Sequence, residues 1–337
     1  MKKALLITAT VLLTLIVVGV PAVVGIRPLI GPRVRPLTDR RFEPSPARVE
    51  RGRYLVRSGQ APCAMCHSPM DLSGGGMTVK AGQELTGRNW AVDGAPFLTA
   101  QNLTADAETG IGNFTDDELA RAIREGIGRD GRALFPIMPY QKFQAMTDED
   151  LASVIVYLRT LPPVRNPLPH SAVPFPLNRL INSAPNPVNA PVAADLSTPE
   201  KRGEHIVRMA VCADCHTTRD GGGTTPAGMD LAGGTAMPFE GRKTVYTANL
   251  TPSVNGIPYY TEELFLEVMR TGKVKARALD PMMPTELYRN MTDQDLKDVF
   301  AYLKTVKPVD HYVDNSQAPT ECARCGLEHG GGARNKK

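Results

Sequence analysis

One long apolar run opens the chain, and short helical patterns follow it. No charged residue interrupts Ala4 to Ile26, 23 residues flanked by Lys2 and Lys3 before and by Arg27, Arg33 and Arg35 after. A signal-peptide core runs about 7–15 residues, whereas a membrane helix needs about 20. The length therefore predicts an uncleaved anchor within residues 1–30, ahead of a long signal peptide cut near Ala22 or Gly25. The Gly19-Val20-Pro21 break is tolerable in a membrane helix. Further on, Leu151, Val154, Ile155 and Leu158 repeat at i, i+3, i+4, i+7, as do Leu296, Val299, Phe300 and Leu303. Each set draws one apolar face of a helix. Thr147 and Thr292 are placed to cap these helices, and Leu161-Pro162 and Lys307-Pro308 to close them. Thr115-Asp116-Asp117-Glu118 reads as a capping box before a helix ending at Gly126. Ser45 followed by Pro46 opens another helix, with Gly59 as its stop. Nothing alternates with strand period, so the body reads as all-α.

The same order of features occurs twice, which marks an internal repeat. Arg51-Gly52 and Arg202-Gly203 come first, then Cys63-Ala64-Met65-Cys66-His67 and Cys212-Ala213-Asp214-Cys215-His216. Gly-rich loops follow at Gly74–Gly76 and Gly221–Gly223, then Asn102–Thr104 and Asn249–Thr251, Phe114-Thr115 and Tyr260-Thr261, and Met138-Pro139 and Met283-Pro284. From the Met-Pro pairs the copies run without a gap to Pro163-Val164 and Pro308-Val309. Residues 162–199 hold ten prolines, which fix φ and remove donors, so this segment is a linker or strap. The organisation expected is an anchor (1–30), a first domain (45–165), a Pro-rich linker (166–199), a second domain (200–310) and a tail (311–337). A chain of 337 residues fits two domains by length.

Cys-x-x-Cys-His is the attachment signature of c-type haem. Two thiols one helical turn apart can each reach a haem vinyl group, and the adjacent imidazole can ligate the iron. Cys63, Cys66, Cys212 and Cys215 are thus the expected covalent anchors of two haem c groups, with His67 and His216 as axial ligands. Met138 and Met283, 71 and 67 residues beyond those histidines, are the expected sixth ligands. Thioether ligation favours reduced iron. Met146 and Met291 also match between copies, but they directly precede the helix caps, where packing is the better reading.

These motifs, with Asn102-Leu103-Thr104, Thr109-Gly110-Ile111-Gly112, Met138-Pro139-Tyr140 and Met146-Thr147-Asp148-Glu149-Asp150-Leu151, resemble the dihaem members of the class I cytochrome c family. Within that family the sequence looks like the cytochrome c subunits of periplasmic alcohol and sugar-acid dehydrogenases, over about residues 47–310. The resemblance implies haem-packed helical domains, periplasmic maturation and one-electron transfer. Those subunits usually carry three haem domains, and this chain has two. It also implies that Trp90 and Arg88 lie near the haem or a propionate, alongside the plain alternative of packing and a solvated charge. His205 reads as a surface histidine on the first helix of copy two, and His170 as a linker residue without chemistry.

The tail departs from the repeat. Cys322-Ala323-Arg324-Cys325 is followed by Gly326, not histidine, which disfavours a third haem. Two readings stay open. Cys322 and Cys325 can form a disulfide, or His311, Cys322, Cys325 and His329 can form a tetrahedral site suited to zinc. The Gly-rich end, with Lys336 and Lys337, reads as a mobile docking segment for another subunit.

Composition narrows the function. Lys plus Arg is 39 and Asp plus Glu is 35, for a net charge of +4, which gives no basis for nucleic-acid binding. Gly (30) and Pro (29) make the chain loop-rich. The expected function is a membrane-anchored dihaem electron carrier with its haem domains in the periplasm, serving redox proteins or the subunits of a membrane complex. With both irons six-coordinate the chain is not expected to be an enzyme by itself. The alternative is a dihaem peroxidase or a thiosulfate-oxidising cytochrome.

Overall fold

The computed structural model describes residues 2–14, 18–71, 78–90, 96–220, 223–238 and 242–336, and the described part of the N-terminal run holds α1 (Lys2–Thr14) and α2 (Val20–Val24). Positions 15–17 lie outside the described residues. Among the described residues no helix is long and apolar enough to cross a membrane. Pro21 sits in the first turn of α2, and Gly25 ends it at φ 79°. The anchor expected within residues 1–30 is not supported by any described helix. A third short helix, α3 (Arg27–Ile30), buries Pro28.

Two compact units make up the chain: Met1–Gly52 with Thr86–Ala193, and Arg53–Leu85 with Ala194–Lys337. Helix α4 (Pro46–Arg57) opens the first repeat, with the Arg48 amide on the Ser45 hydroxyl at 3.2 Å. The first haem-motif residues form α5 (Cys63–His67).

In the first unit, α6 (Asp116–Glu125) carries the expected capping box. Thr115 Oγ1 accepts from the Glu118 amide at 3.1 Å, and the Glu118 carboxylate accepts from the Thr115 amide at 2.7 Å. Gly126 closes the helix at φ 71°, where a Cβ would lie 2.5 Å from the Tyr140 ring. Next come α7 (Tyr140–Phe143) and α8 (Asp148–Arg159), the latter capped by Thr147 with Leu151, Val154, Ile155 and Leu158 buried. Gly52 lets the start of α4 cross α8, because a Cβ there would overlap the Ser153 carbonyl oxygen. Arg35 reaches in from the N-terminal segment to Asp117 and Glu125, each at 2.7 Å.

The proline segment is a strap on this unit. The Ala172 amide donates to Phe97 O at 2.9 Å, and the Asp148 amide to Val192 O at 3.1 Å. Its helical turn α9 (Leu177–Leu180) packs against α3. Of the apolar patch from Phe175 to Ile181, only Ile181 is buried, and Phe175 is 81% exposed.

In the second unit, α10 (Pro199–Met209) is capped by Thr198 and is followed by α11 (Cys212–His216), α12 (Glu262–Thr271), α13 (Thr285–Tyr288) and α14 (Asp293–Thr305). Gly203 repeats the role of Gly52, its missing Cβ leaving room for the Asp298 carbonyl. Ile206, Phe265, Tyr288, Met291, Leu296 and Phe300 are among the residues of the core between these helices.

Strands add little. Those described are two or three residues long, in two-stranded antiparallel ladders such as Ala236–Met237 with Val245–Tyr246. Alternation cannot be read in so few positions, and the fold is mostly helical. The tail is ordered, contrary to the expected mobile segment. Pro319–Glu321 pairs with Glu328–Gly330, and a 3₁₀ turn (Gly332–Lys336) follows. Gly326 at φ 72° permits the reversal between the strands, a conformation that costs glycine little. Asn335, 3% exposed, locks the end by donating to His329 O at 2.8 Å and Thr320 O at 3.1 Å.

Candidate functional site

Both Cys-x-x-Cys-His motifs fold as single helical turns, α5 and α11, in the second compact unit. A turn of this length places two cysteines three apart on one side, with histidine as its last residue. All four cysteines and both histidines are half-buried, among apolar neighbours yet reachable. His216 Nδ1 lies 2.7 Å from Ala248 O. A carbonyl only accepts, so Nδ1 carries the proton and Nε2 presents its lone pair. Burial also lowers the proton affinity of His216, keeping the ring neutral. This is the state an iron ligand needs.

The thiols are poor candidates for dithiol redox chemistry, which needs an accessible thiolate. Burial pushes Cys63 and Cys212 up to about 12 and raises Cys215. The half-buried Cys212–Cys215 pair beside the neutral His216 imidazole, its Nδ1 proton turned to Ala248 O, fits covalent haem attachment, and Cys63 and Cys66 repeat the pair in α5.

Tyr288 stands beside both motifs. Its hydroxyl donates to Ala210 O at 2.9 Å, two residues before Cys212. Its ring packs where Gly59 lacks a side chain, so that a Cβ there would lie 2.7 Å away. Burial, and then the nearby Cys212, Cys215 and Cys66 thiols, hold its phenol well above the ordinary value. Sequence reasoning passed over Tyr288. It lies on the turn directly after the Met-Pro pair, a position that could have drawn attention to it.

The two Met-Pro loops have one geometry. The Met138 amide donates to Phe135 O at 3.1 Å and the Met283 amide to Asp280 O at 3.0 Å. Pro139 (φ −82°, ψ 42°) and Pro284 (φ −77°, ψ 58°) then stand at the N-caps of α7 and α13. The prolines therefore start helical turns instead of extending the loop. Met283 and Cys212 pack on the same core cluster, so in copy two the structure gathers thioether and thiol on one core. Met138 belongs to the first unit and is half-buried. Met146 and Met291, 2% and 4% exposed, are packing residues.

The Asn-Leu-Thr segments explain themselves through their bonds. Asn102 Nδ2 donates to Val164 O and Asn249 Nδ2 to Val309 O, at 2.7 and 2.8 Å. The Val164 and Val309 amides return bonds to Thr104 and Thr251 Oγ1, both at 3.1 Å. These bonds clip the end of each last helix to the middle of its own domain.

Trp90 and Arg88 are half-buried and face each other, the guanidinium 5.1 Å from the ring centre, a cation–π distance. His205 lies on α10, half-buried, and His170 is exposed in the strap. Gly74–Gly76 lie outside the described residues.

The tail cluster is brought together. The ligand atoms of His311, Cys322, Cys325 and His329 all lie within 4.8 Å of one another, and all four residues are buried. Both cysteines are free thiols, so the disulfide is not formed here. Burial pulls His311 down to about 4 and also lowers His329, while it pushes Cys325 up to about 11.

Comparison with known proteins agrees with this geometry. The cytochrome c family model matches twice, over residues 49–162 and 200–307. The chain is 29% identical over 282 residues to the fructose dehydrogenase cytochrome subunit of Gluconobacter japonicus, covering 78% of this chain and 54% of that one. It is 27% identical over 289 residues to the gluconate 2-dehydrogenase cytochrome c subunit of Pantoea cypripedii, covering 78% of this chain and 60% of that one. It is 29% identical over 275 residues to a diheme cytochrome c-type protein of Cereibacter sphaeroides, covering 78% and 87%. The chain thus spans little more than half the length of the two dehydrogenase relatives, 54% and 60%.

Proposed function

The chain belongs to the cytochrome c family, and from that premise we propose that it is a dihaem electron carrier serving a dehydrogenase or a respiratory complex. Haem c bound at each motif would supply one-electron exchange between ferrous and ferric iron. The chain's part is to hold, orient and shield. Cys63 and Cys66, and Cys212 and Cys215, are the covalent anchors. His67 and His216 would bind the irons through their imidazoles, with Ala248 O fixing the tautomer of His216. Met138 and Met283, each just before a proline that starts a helical turn, would supply the thioethers. With an imidazole and a thioether offered to each haem, the chain would leave no open position for substrate.

The observation that carries this reading is the placement of α5 and α11 in one compact unit, both near Tyr288. Two attachment turns held this way suit passage of electrons within one protein. The partner's chemistry is proposed from the relatives, two of which are named as cytochrome subunits of dehydrogenases. We place the haem domains outside the cytoplasm. We assign membrane association to the N-terminal run, where Ile7, Val11, Val18 and Val23 are more than half exposed.

The test is a haem count on the mature protein with ferric and ferrous spectra, repeated for Met138→Ala and Met283→Ala. The expected result is two low-spin haems, each variant converting one of them to high spin and lowering its potential. A stable high-spin ferric haem in the parent protein would overturn the electron-carrier reading in favour of a dihaem enzyme. Fractionation of cells should find the protein with membranes, and a soluble protein with an intact N-terminus would refute the membrane assignment.

A further inference from the structure

Beyond the haem motifs, the chain holds a second set of soft ligands that electron transfer does not use. We propose that His311, Cys322, Cys325 and His329 bind one zinc ion, which fastens the C-terminal tail to the loop behind the second haem motif.

The imidazole bonds carry the argument. His311 Nδ1 lies 2.9 Å from Ala232 O, and His329 Nδ1 lies 3.0 Å from Gly330 O. Each Nδ1 faces an oxygen that can only accept, so each holds its ring's proton and leaves Nε2 as a lone pair. The two Nε2 atoms lie 2.8 Å apart. Neither can donate to the other, and the repulsion between the lone pairs is relieved by a cation between them. The thiols of Cys322 and Cys325 complete the set, all four ligand atoms within 4.8 Å of each other. A tetrahedral zinc ion with bonds of about 2.0–2.3 Å holds its ligand atoms roughly 3.3–3.8 Å apart. Settling of about 1 Å or less brings these four to that spacing. His311 and His329 are 1% and 0% exposed, which closes the site to water and matches a structural centre.

Charge and ligand softness select the ion. Two neutral thiols lose two protons to solvent as they bind, and two thiolates balance the divalent ion, so the buried site is neutral. Two sulfurs and two imidazoles in tetrahedral array suit zinc among the divalent metals. Gly326 at φ 72° turns the chain sharply after Cys325. Gly234, at φ 86°, leaves the space beside the rings open, since a Cβ there would come 2.7 Å from His311 Cε1.

The ion has a structural consequence for the second haem motif. His311 holds Ala232, and the next amide, Gly233, donates to His216 O at 2.7 Å. Zinc thus steadies the backbone next to the axial histidine from outside the haem site.

The experiment is elemental analysis of the full holoprotein with X-ray absorption at the zinc edge. One zinc per chain beside two irons is expected, with two sulfur and two nitrogen neighbours. His311→Asn keeps a donor for Ala232 O and removes only the metal ligand. In this variant zinc should fall at least tenfold while two haems remain. Cys325→Ser should do the same. Parent protein without zinc would overturn the proposal, whether Cys322 and Cys325 are free or joined in a disulfide. Three irons per chain, with haem on the 322–325 peptide, would also overturn it. Zinc unchanged in both variants would mean that the ion binds elsewhere and would overturn the site.

Discussion

After the last helix of copy one, Asn166 reaches back and donates through Nδ2 to Thr86 O at 2.8 Å. At the matching place in copy two, His311 donates through Nδ1 to Ala232 O at 2.9 Å. The surrounding loops match closely. Leu85 and Leu231 both have positive φ, and their amides donate to Ser68 Oγ and Thr217 Oγ1 at 2.9 and 3.0 Å. The scaffold therefore asks only for a donor at this point, and an amide side chain supplies it. An imidazole supplies the same donor and adds a second nitrogen on its far side. That spare nitrogen is where the tail cluster is built. The two copies share a haem-binding kernel and differ in what fastens their outer segments: buried charges for the first, soft metal ligands for the second.

Breaking the charged fastening should have the largest effect. Arg35 is 9% exposed at its side chain, and its partners Asp117 and Glu125 are 0% and 2%. Arg35→Ala strips the short ion pairs from two buried carboxylates, leaving Asp117 only the more distant Arg40 at 3.8 Å and the Thr38 amide, a loss of about 3–5 kcal/mol. The expected result is faster amide exchange across α6, with the second unit unchanged. Equal loss in both units would break the comparison. The pH response divides by residue. Burial alone would push Asp117 up, but Arg35 and the Thr38 amide outweigh it and hold it below the usual range. Its contribution is complete above the unfolded value of about 3.9 and is lost as pH falls through its depressed folded value. Burial raises Glu125 despite Arg35. Its folded form is favoured below about 4.3, and that contribution is lost as pH rises through its raised folded value. Mild acidification should therefore stabilise α6, and stronger acidification should reverse the gain.

The next effect tests what the copies share. A Cβ at Gly52 or Gly203 meets a backbone carbonyl of the last helix, at Ser153 or Asp298. Backbone cannot turn aside as a side chain can. Gly52→Ala and Gly203→Ala should each cost about 1–3 kcal/mol or more, read as a lower denaturation midpoint of the holoprotein. A silent substitution in one copy alone would show that its helices do not cross as closely.

Much of this was open to reading in the sequence, for reasons that differ by residue. Thr115, Thr147 and Thr292 were legible because a cap is a local bond, complete within four residues. The attachment motifs were legible because their chemistry dictates their spacing. Arg51-Gly52 and Arg202-Gly203 were visible as a repeat, but their cause lay about 100 residues away in a helix crossing. Tyr288 was missed because its significance depends on α5 and α11 lying near one another, which no local pattern encodes. The tail ligands were visible as residue types, but not the Asn335 and Gly326 geometry that orders them. At the N-terminus a hydropathy run shows its apolar length but does not register where Gly25 ends α2.

The smallest expected effect is the most sensitive test of likeness. Thr147 Oγ1 accepts from the Asp150 amide, and Thr292 Oγ1 from the Asp295 amide, each at 3.1 Å. The cap dihedrals agree as well, at φ −61°, ψ 158° and φ −63°, ψ 158°. Each cap satisfies one otherwise orphaned donor, so Thr147→Ala and Thr292→Ala should each cost about 1 kcal/mol. The Thr292 amide also donates to Tyr54 Oη at 2.9 Å, a backbone bond that alanine retains. Equal losses, measured as amide exchange in the first turns of α8 and α14, would place the two last helices on the same footing. A difference greater than about 0.5 kcal/mol would mean that Tyr54 holds α14 where Thr292 no longer does, and that the copies diverge within the kernel as well as in their fastenings.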